Sequence, residues 1–263
     1  MSSPWNPMND DTQDPNQALS DKEKFLERMD AYEKLGMYEK AIDECRAFVR
    51  RYPNDPEFIV ELGILFDLKG EKAKALKYFK YANKKFPEYF RAYVALGYCF
   101  DKCGECNDMA MFYYKKALEL NPNDEWAYFN IGRMLHYSNK WKEAIPFFEK
   151  SYKACKREGL LVGRSLHGLA WAYYRLKDYK KASRMFCRIA EEDVEYLEEQ
   201  NNARADFGCV HYRLGLYDKA LALLEEAVVR QPGNKRNSRL RELFYEKASA
   251  SSSKHSKKLP KHR

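Results

Sequence analysis

Residues 56–89 read PEFIVELGILFDLKGEKAKALKYFKYANKKFPEY, and this stretch decides the fold. Leu62 and Gly63 stand together in an apolar run, Phe66 follows one turn later, and Gly70 interrupts the pattern. Beyond it Ala75, Phe79 and Ala82 fall on one helical face, and Pro87 closes the segment. Such three- and four-residue spacings predict two amphipathic helices joined by a tight turn.

The series then returns along the chain. It recurs as Leu96, Gly97, Phe100, Ala110, Tyr114, Ala117 and Pro122, and again as Ile131, Gly132, Leu135, Ala144, Phe148 and Ser151. Leu169, Ala170, Tyr173, Ala182 and Phe186 form the next copy, and Phe207, Gly208, Gly215, Ala220, Leu224, Ala227 and Pro232 the last. A weaker first copy carries Tyr32, Gly36, Ala41, Cys45, Phe48 and Pro53. The copies start at Lys22, Pro56, Phe90, Glu125, Gly163 and Asn201, at intervals of 34, 34, 35, 38 and 38 residues. Four extra residues before each of the last two copies predict second helices about one turn longer there.

This pattern resembles the tetratricopeptide repeat (TPR) family, whose unit is a 34-residue helix–turn–helix. The resemblance implies an all-α, right-handed superhelical solenoid of six repeats: 22–55, 56–89, 90–124, 125–158, 163–196 and 201–234. No single unit can bury its apolar face, so the units must stack. The small residues allow close approach of paired helices, while Phe79, Tyr114, Phe148 and Phe186 fill the space between units. Residues 235–247, with Leu240, Leu243 and Phe244 on one face, read as a capping helix. Residues 1–21 read as an acidic disordered leader and 248–263 as a basic disordered tail.

The net charge of +8 is carried by the C-terminal end, since residues 235–263 hold ten Lys or Arg against Glu242 and Glu246. The body is neutral on balance, so its partners are not set by bulk charge. No apolar run spans a membrane and no secretory leader is visible, which points to a cytoplasmic protein without a membrane partner. Seven cysteines without a signal segment read as reduced thiols. Cys99, Cys103 and Cys106 have a spacing used by metal clusters, but the first two fall at packing positions of the third repeat. Packing is the reading; a thiol or metal sensor in this turn is an alternative. No catalytic constellation, phosphate loop or metal-binding helix is present, so neither an enzyme nor a cofactor is expected.

In the family, the first helix of each unit lines a concave groove. The resemblance therefore makes a protein-interaction scaffold or adaptor that binds a segment of another protein. The groove positions of the first two repeats are acidic, with Glu23, Glu27, Asp30, Glu33, Glu57, Glu61 and Asp67. Those of the fourth carry Trp126, Phe129, Asn130, Arg133 and Tyr137. The fifth carries Arg164, His167, Trp171, Tyr174 and Arg175, and the sixth Tyr212 and Arg213. Arginine beside aromatics is the composition of binding hot spots, and arginine grips carboxylates through paired hydrogen bonds. These twelve residues are the candidate contacts for a peptide or C-terminal segment, acidic in character. The clamp that chaperone-binding relatives use is incomplete: Asn130 and Arg164 match it, but Val94, Tyr98 and Gly168 stand at its other positions. Nucleic acid held by the basic tail is the alternative partner. Self-association is left open by the sequence.

Overall fold

A computed structural model describes residues 15–102 and 107–256, and among them every regular element is helical. The chain divides into two compact units, Met1–Pro122 and Asn123–Arg263. The first holds α1 (Pro15–Lys34), α2 (Tyr38–Arg51), α3 (Pro56–Leu68), α4 (Lys72–Lys85), α5 (Phe90–Lys102) and α6 (Asn107–Leu120). The second holds α7 (Glu125–Tyr137), α8 (Trp141–Glu158), α9 (Gly163–Arg175), α10 (Tyr179–Glu192), α11 (Val194–Glu199), α12 (Asn201–Arg213), α13 (Tyr217–Arg230) and α14 (Lys235–Ser256). In each unit, antiparallel pairs stack on their sequence neighbours.

Local chemistry fixes the joints. Asp55 caps α3 by accepting from the Glu57 amide at 2.9 Å, with Pro56 at the first helical position. Asp124 does the same for α7 through the Ala127 amide at 2.6 Å. The turns between paired helices need one left-handed residue, supplied by Gly70 at φ 91°. Asn139 and Lys177 take that conformation in the fourth and fifth repeats, at φ 60° and 62°.

The core is built where a small residue lets the paired helices close up. Ala75, Ala110, Ala144, Ala182 and Ala220 are fully buried. Phe148 lies between two glycines of successive first helices. A Cβ at Gly132 would come within 2.9 Å of its ring and one at Gly168 within 2.5 Å. The aromatic thus fills the volume that two missing side chains leave.

Three expectations change. The chain is helical from Pro15, so the leader is not unstructured across 15–21; residues 1–14 lie outside the described residues. The insertion before the fifth repeat does lengthen its preceding helix, since α8 has 18 residues. The insertion before the sixth does not, because α10 has 14 residues and stops at Glu192. Asp193 accepts from the Tyr196 amide at 3.2 Å and starts the separate helix α11 instead. Finally α14 runs to Ser256, nine residues past the expected cap end at 247, and residues 257–263 lie outside the described part. Phe244 of α14 is buried against α12 and α13. Arg241 and Glu242, at the positions that are Leu-Gly in other first helices, are exposed. Cys99 is half-buried against the first unit's core, as packing requires, while Cys103 and Cys106 lie outside the described residues.

Replacing Phe148 with Ala would open a cavity between two glycines that cannot fill it. We expect a loss of about 3–5 kcal/mol, read as a lower urea midpoint by circular dichroism. Gly168→Leu, which drives a side chain into the same ring, should also lower it.

Candidate functional site

In several repeats the second or thirteenth residue of the first helix reaches back to the repeat before it. In the first unit, Arg91 donates to Glu57 at 2.9 Å and Lys102 to Asp67 at 2.9 Å. Lys22 also pairs with Glu57. The acidic face expected there is therefore partly neutralised by its own repeats. At Glu61, burial, then Glu33 and Glu57, push the carboxyl up to about 7 against the pull of Arg91.

In the second unit Arg164, Arg175 and Arg213 stand at these positions with rings and neutral groups as partners, while Arg236 at the second position of α14 pairs with Asp206. The Arg164 guanidinium lies 3.9 Å from the Trp126 ring centre and 5.5 Å from that of Phe129. Arg175 lies 4.7 Å from the Trp141 ring and donates weakly to Asn139 Oδ1 at 3.4 Å. Arg213 donates to the Tyr174 hydroxyl at 3.4 Å. All three arginines are exposed, and none pairs with a carboxylate among the described residues. Stacking uses the face of a guanidinium and leaves its in-plane N–H edge available.

Other candidates are turned inward. Asn130 is buried, donates to the Trp126 carbonyl at 2.9 Å and accepts from Arg133 at 3.1 Å, so its amide serves the fold. His167 and Trp171 converge on Asp206, a carboxylate 5 % exposed. Trp171 Nε1 donates to its Oδ2 at 2.9 Å, and His167 Nε2 stands 3.1 Å from the same oxygen. Arg236 of α14 donates to Oδ1 at 2.6 Å. His167 Nδ1 meets the Tyr196 hydroxyl at 3.0 Å. With a proton on Nε2, His167 donates to Asp206, and its Nδ1 stands in hydrogen-bond reach of the Tyr196 hydroxyl. Burial works to raise the Asp206 carboxyl, but His167 and Arg236 hold it below its ordinary value.

The insertion α11 sets this arrangement. Val162 offers α9 no side-chain cap, so Asp193 reaches across and accepts from the Gly163 amide at 2.7 Å. The Tyr196 ring covers Gly163, with one ring carbon 2.8 Å from where a Cβ would sit. Asp193, Tyr196 and Arg236 were missed by the sequence reading. The readable signal was Asp193 ahead of a short helical run, together with Arg236 at the second position of a seventh first helix. Trp126 and Tyr137 stand exposed on α7, while Phe129, Tyr174 and Tyr212 are half-buried. His136 is also half-buried, and burial, then Arg175 and His167, lowers its pKa.

Stacked helix pairs that present charged and aromatic side chains on their first helices define a helical-repeat interaction scaffold. Matches described as "Tetratricopeptide repeat" cover residues 25–65, 90–124, 123–191 and 167–235. The chain belongs to the tetratricopeptide repeat family. Among curated proteins it is 24 % identical over 179 residues to the Protein CTR9 homolog of Arabidopsis thaliana, covering 65 % of this chain and 16 % of that one. Among solved structures, the APC/C hetero-tetramer Cut9–Hcn1 aligns with a TM-score of 0.68 at 17 % identity, over 82 % of this chain and 41 % of that one. YrrB, described as a TPR protein with an unusual peptide-binding site, aligns with a TM-score of 0.52 at 16 % identity, over 75 % and 97 %. The chain thus spans a minor part of the CTR9 homolog and of the Cut9–Hcn1 chain, and the structural likenesses concern the fold. Among the described residues no helix is long and apolar enough to cross a membrane, and no group of three His, Cys, Asp or Glu is placed to hold a metal ion.

Asp206 gives a pH test. Its folded value is depressed, so its contribution is complete above the ordinary aspartate value of 3.8 and is lost as pH falls through the folded value. Asp206→Asn should lower the urea midpoint at neutral pH by an amount equal to about 1–3 kcal/mol. The gap to wild type should close as pH drops below the ordinary value.

Proposed function

We propose that the first-helix face of α7, α9 and α12 binds an acidic segment of a partner protein, which makes the chain an adaptor. The observation that carries this reading is the set of three exposed arginines, Arg164, Arg175 and Arg213, resting on aromatic rings or a phenol with no carboxylate among the described residues to neutralise them. Structural pairing would have placed Asp or Glu at the facing positions, as the first unit does for Arg91 and Lys102. A pre-oriented guanidinium loses little freedom on meeting a carboxylate, and its bidentate geometry adds selectivity. Trp126 and Tyr137, exposed on α7, supply the apolar surface beside the charges. Arg133 and Tyr212 flank the same face. His167, Trp171 and Asn130 act mainly as its supports, because their polar groups are bonded within the protein. The peptide-binding description of YrrB is in keeping with this reading.

The test is selection of binding peptides from a displayed library against the full chain, followed by affinity measurement on Arg164→Gln and on the Arg175→Gln, Arg213→Gln pair. Selected peptides should be rich in Asp and Glu and should lose at least about tenfold on either variant, equal to about 1.4 kcal/mol. Peptides that bind both folded variants as tightly as wild type would place recognition on another surface.

A further inference from the structure

The second helices of the repeats mostly mix acids with bases, as α2, α6, α8, α10 and α13 do. The second helix of the second repeat differs: the 14 residues of α4, KAKALKYFKYANKK, hold six lysines and no acid. Two of these lysines serve the fold. Lys74 pairs with Glu71, and Lys85 donates to the Pro53 carbonyl at 2.7 Å. Lys77, Lys80 and Lys84 are exposed and form no ion pair among the described residues. At 100° per residue their directions fall within about 60° of one another, on the side opposite Ala75, Phe79 and Ala82. Those three are buried in the core of the first unit. Lys77 to Lys84 spans about 10 Å of the helix.

The neighbouring second helices extend this stripe. Counted from the buried alanines Ala41, Ala75 and Ala110, the place of Lys84 is taken by Arg50 on α2 and that of Lys80 by Lys115 on α6, both exposed. The acids at the same registers, Asp43 and Glu119, pair with Arg46 and Lys116 inside their own helices. Such a concentration of charge works against the helix that carries it. Lys77 and Lys80, then Lys80 and Lys84, are like charges three and four residues apart, which repel across a helix surface. Lys72 stands at the positive end of the helix dipole. Solubility alone is better served by mixed signs, as on the other second helices.

The side chains narrow the partner. Lysine is a mobile point charge without the planar fork of arginine, so it follows a line of negative charge more than the shape of one carboxylate. A lipid surface takes an amphipathic helix by its apolar face, and that face of α4 is already in the core. Exposed rings border the lysines: Tyr81 on α4 is 45 % exposed, and Phe112, at the register of Lys77 on α6, is 50 % exposed. Rings beside a row of cations suit an unpaired strand, whose phosphates meet the lysines while its bases lie on the rings. A duplex keeps its bases stacked on one another and leaves such rings unused.

We propose that the outer side of α4, with Arg50 and Lys115 beside it, binds single-stranded nucleic acid. Contacts to phosphates and base faces leave the 2′-hydroxyl unread, so RNA and DNA strands should bind alike. This surface belongs to the first unit and does not depend on the role assigned to the arginine face of the second.

The test uses the full chain with fluorescein-labelled oligo-U and oligo-dT strands of about 20 nucleotides, longer than a typical single-strand site. A duplex of the same length serves as comparison, and binding is read by fluorescence anisotropy over a salt series. Both strands should bind alike and more tightly than the duplex. Replacing Lys77, Lys80 and Lys84 together by Gln should weaken strand binding at least about tenfold at low salt. The same variant should flatten the slope of log K against log salt by about 2, since each phosphate contact contributes about 0.7. Tyr81→Ala should lose at least about fivefold with the slope unchanged. Circular dichroism checks that each variant is folded. Failure of the strands to bind, or an unchanged affinity of the triple variant, would overturn the proposal. A loss seen instead when Lys254, Lys257 and Lys258 are replaced by Gln would move binding to the basic end and overturn it too. The same holds for a preference for the duplex, or for capture of the chain by phosphatidylserine vesicles but not by the strands.

Discussion

A helix pair of this size cannot keep its apolar stripe dry by itself, and the close approach of one helix to the next is the constraint from which the rest follows. Approach is possible because the contact positions carry Ala or Gly: Ala75, Ala110, Ala144, Ala182 and Ala220 expose nothing to solvent. At Gly63, Gly97 and Gly132 the gap is filled by a ring from the same pair, Phe79, Tyr114 and Phe148, and Phe148 is shared between Gly132 and Gly168 of neighbouring repeats. Stability is therefore lodged at the joints between elements more than within them.

That architecture also determines what is left for recognition. With the packing done by small residues and rings on the inward sides, the second and thirteenth positions of each first helix are free to vary in partner. In the first unit they close on carboxylates, as Arg91 does on Glu57 and Lys102 on Asp67. In the second, Arg164, Arg175 and Arg213 close on Trp126, Trp141 and Tyr174, which hold a cation in place without cancelling it, while Arg236 closes on Asp206. The same helical register thus gives carboxylate partners to Arg91 and Lys102 and ring or phenol partners to Arg164, Arg175 and Arg213.

The repeat units were legible because their signal is periodic: Leu-Gly, Ala and aromatic positions return at nearly constant intervals, and each return strengthens the same reading. The arginines of the fifth and sixth repeats were legible for the same reason, since the register assigns their side of the helix. What could not be read were contacts made by residues that the register treats as unrelated. Asp206 gathers His167, Trp171 and Arg236 from two other helices, and only the stacked structure brings them to one carboxylate. The extra residues before the sixth repeat could be counted from the sequence, but their fate turned on one cap. Asp193 begins a new helix where α10 would otherwise have continued, and the residue then serves Gly163 as well. Asn130 and His167 illustrate the remaining limit: register places a polar side chain on a face without saying whether its hydrogen bonds are already used.

In a linear array, disorder that starts at an end can travel inward joint by joint, because each repeat leans only on its neighbours. Asp206 interrupts that progression. Loosening α14 strips Arg236 from a buried carboxylate that also anchors α9 through His167 and Trp171, so the first step of fraying carries an electrostatic penalty felt two repeats away. The shared acid thus acts as a firebreak: it couples α14 directly to α9, so neither helix can loosen without stripping partners from one buried carboxylate.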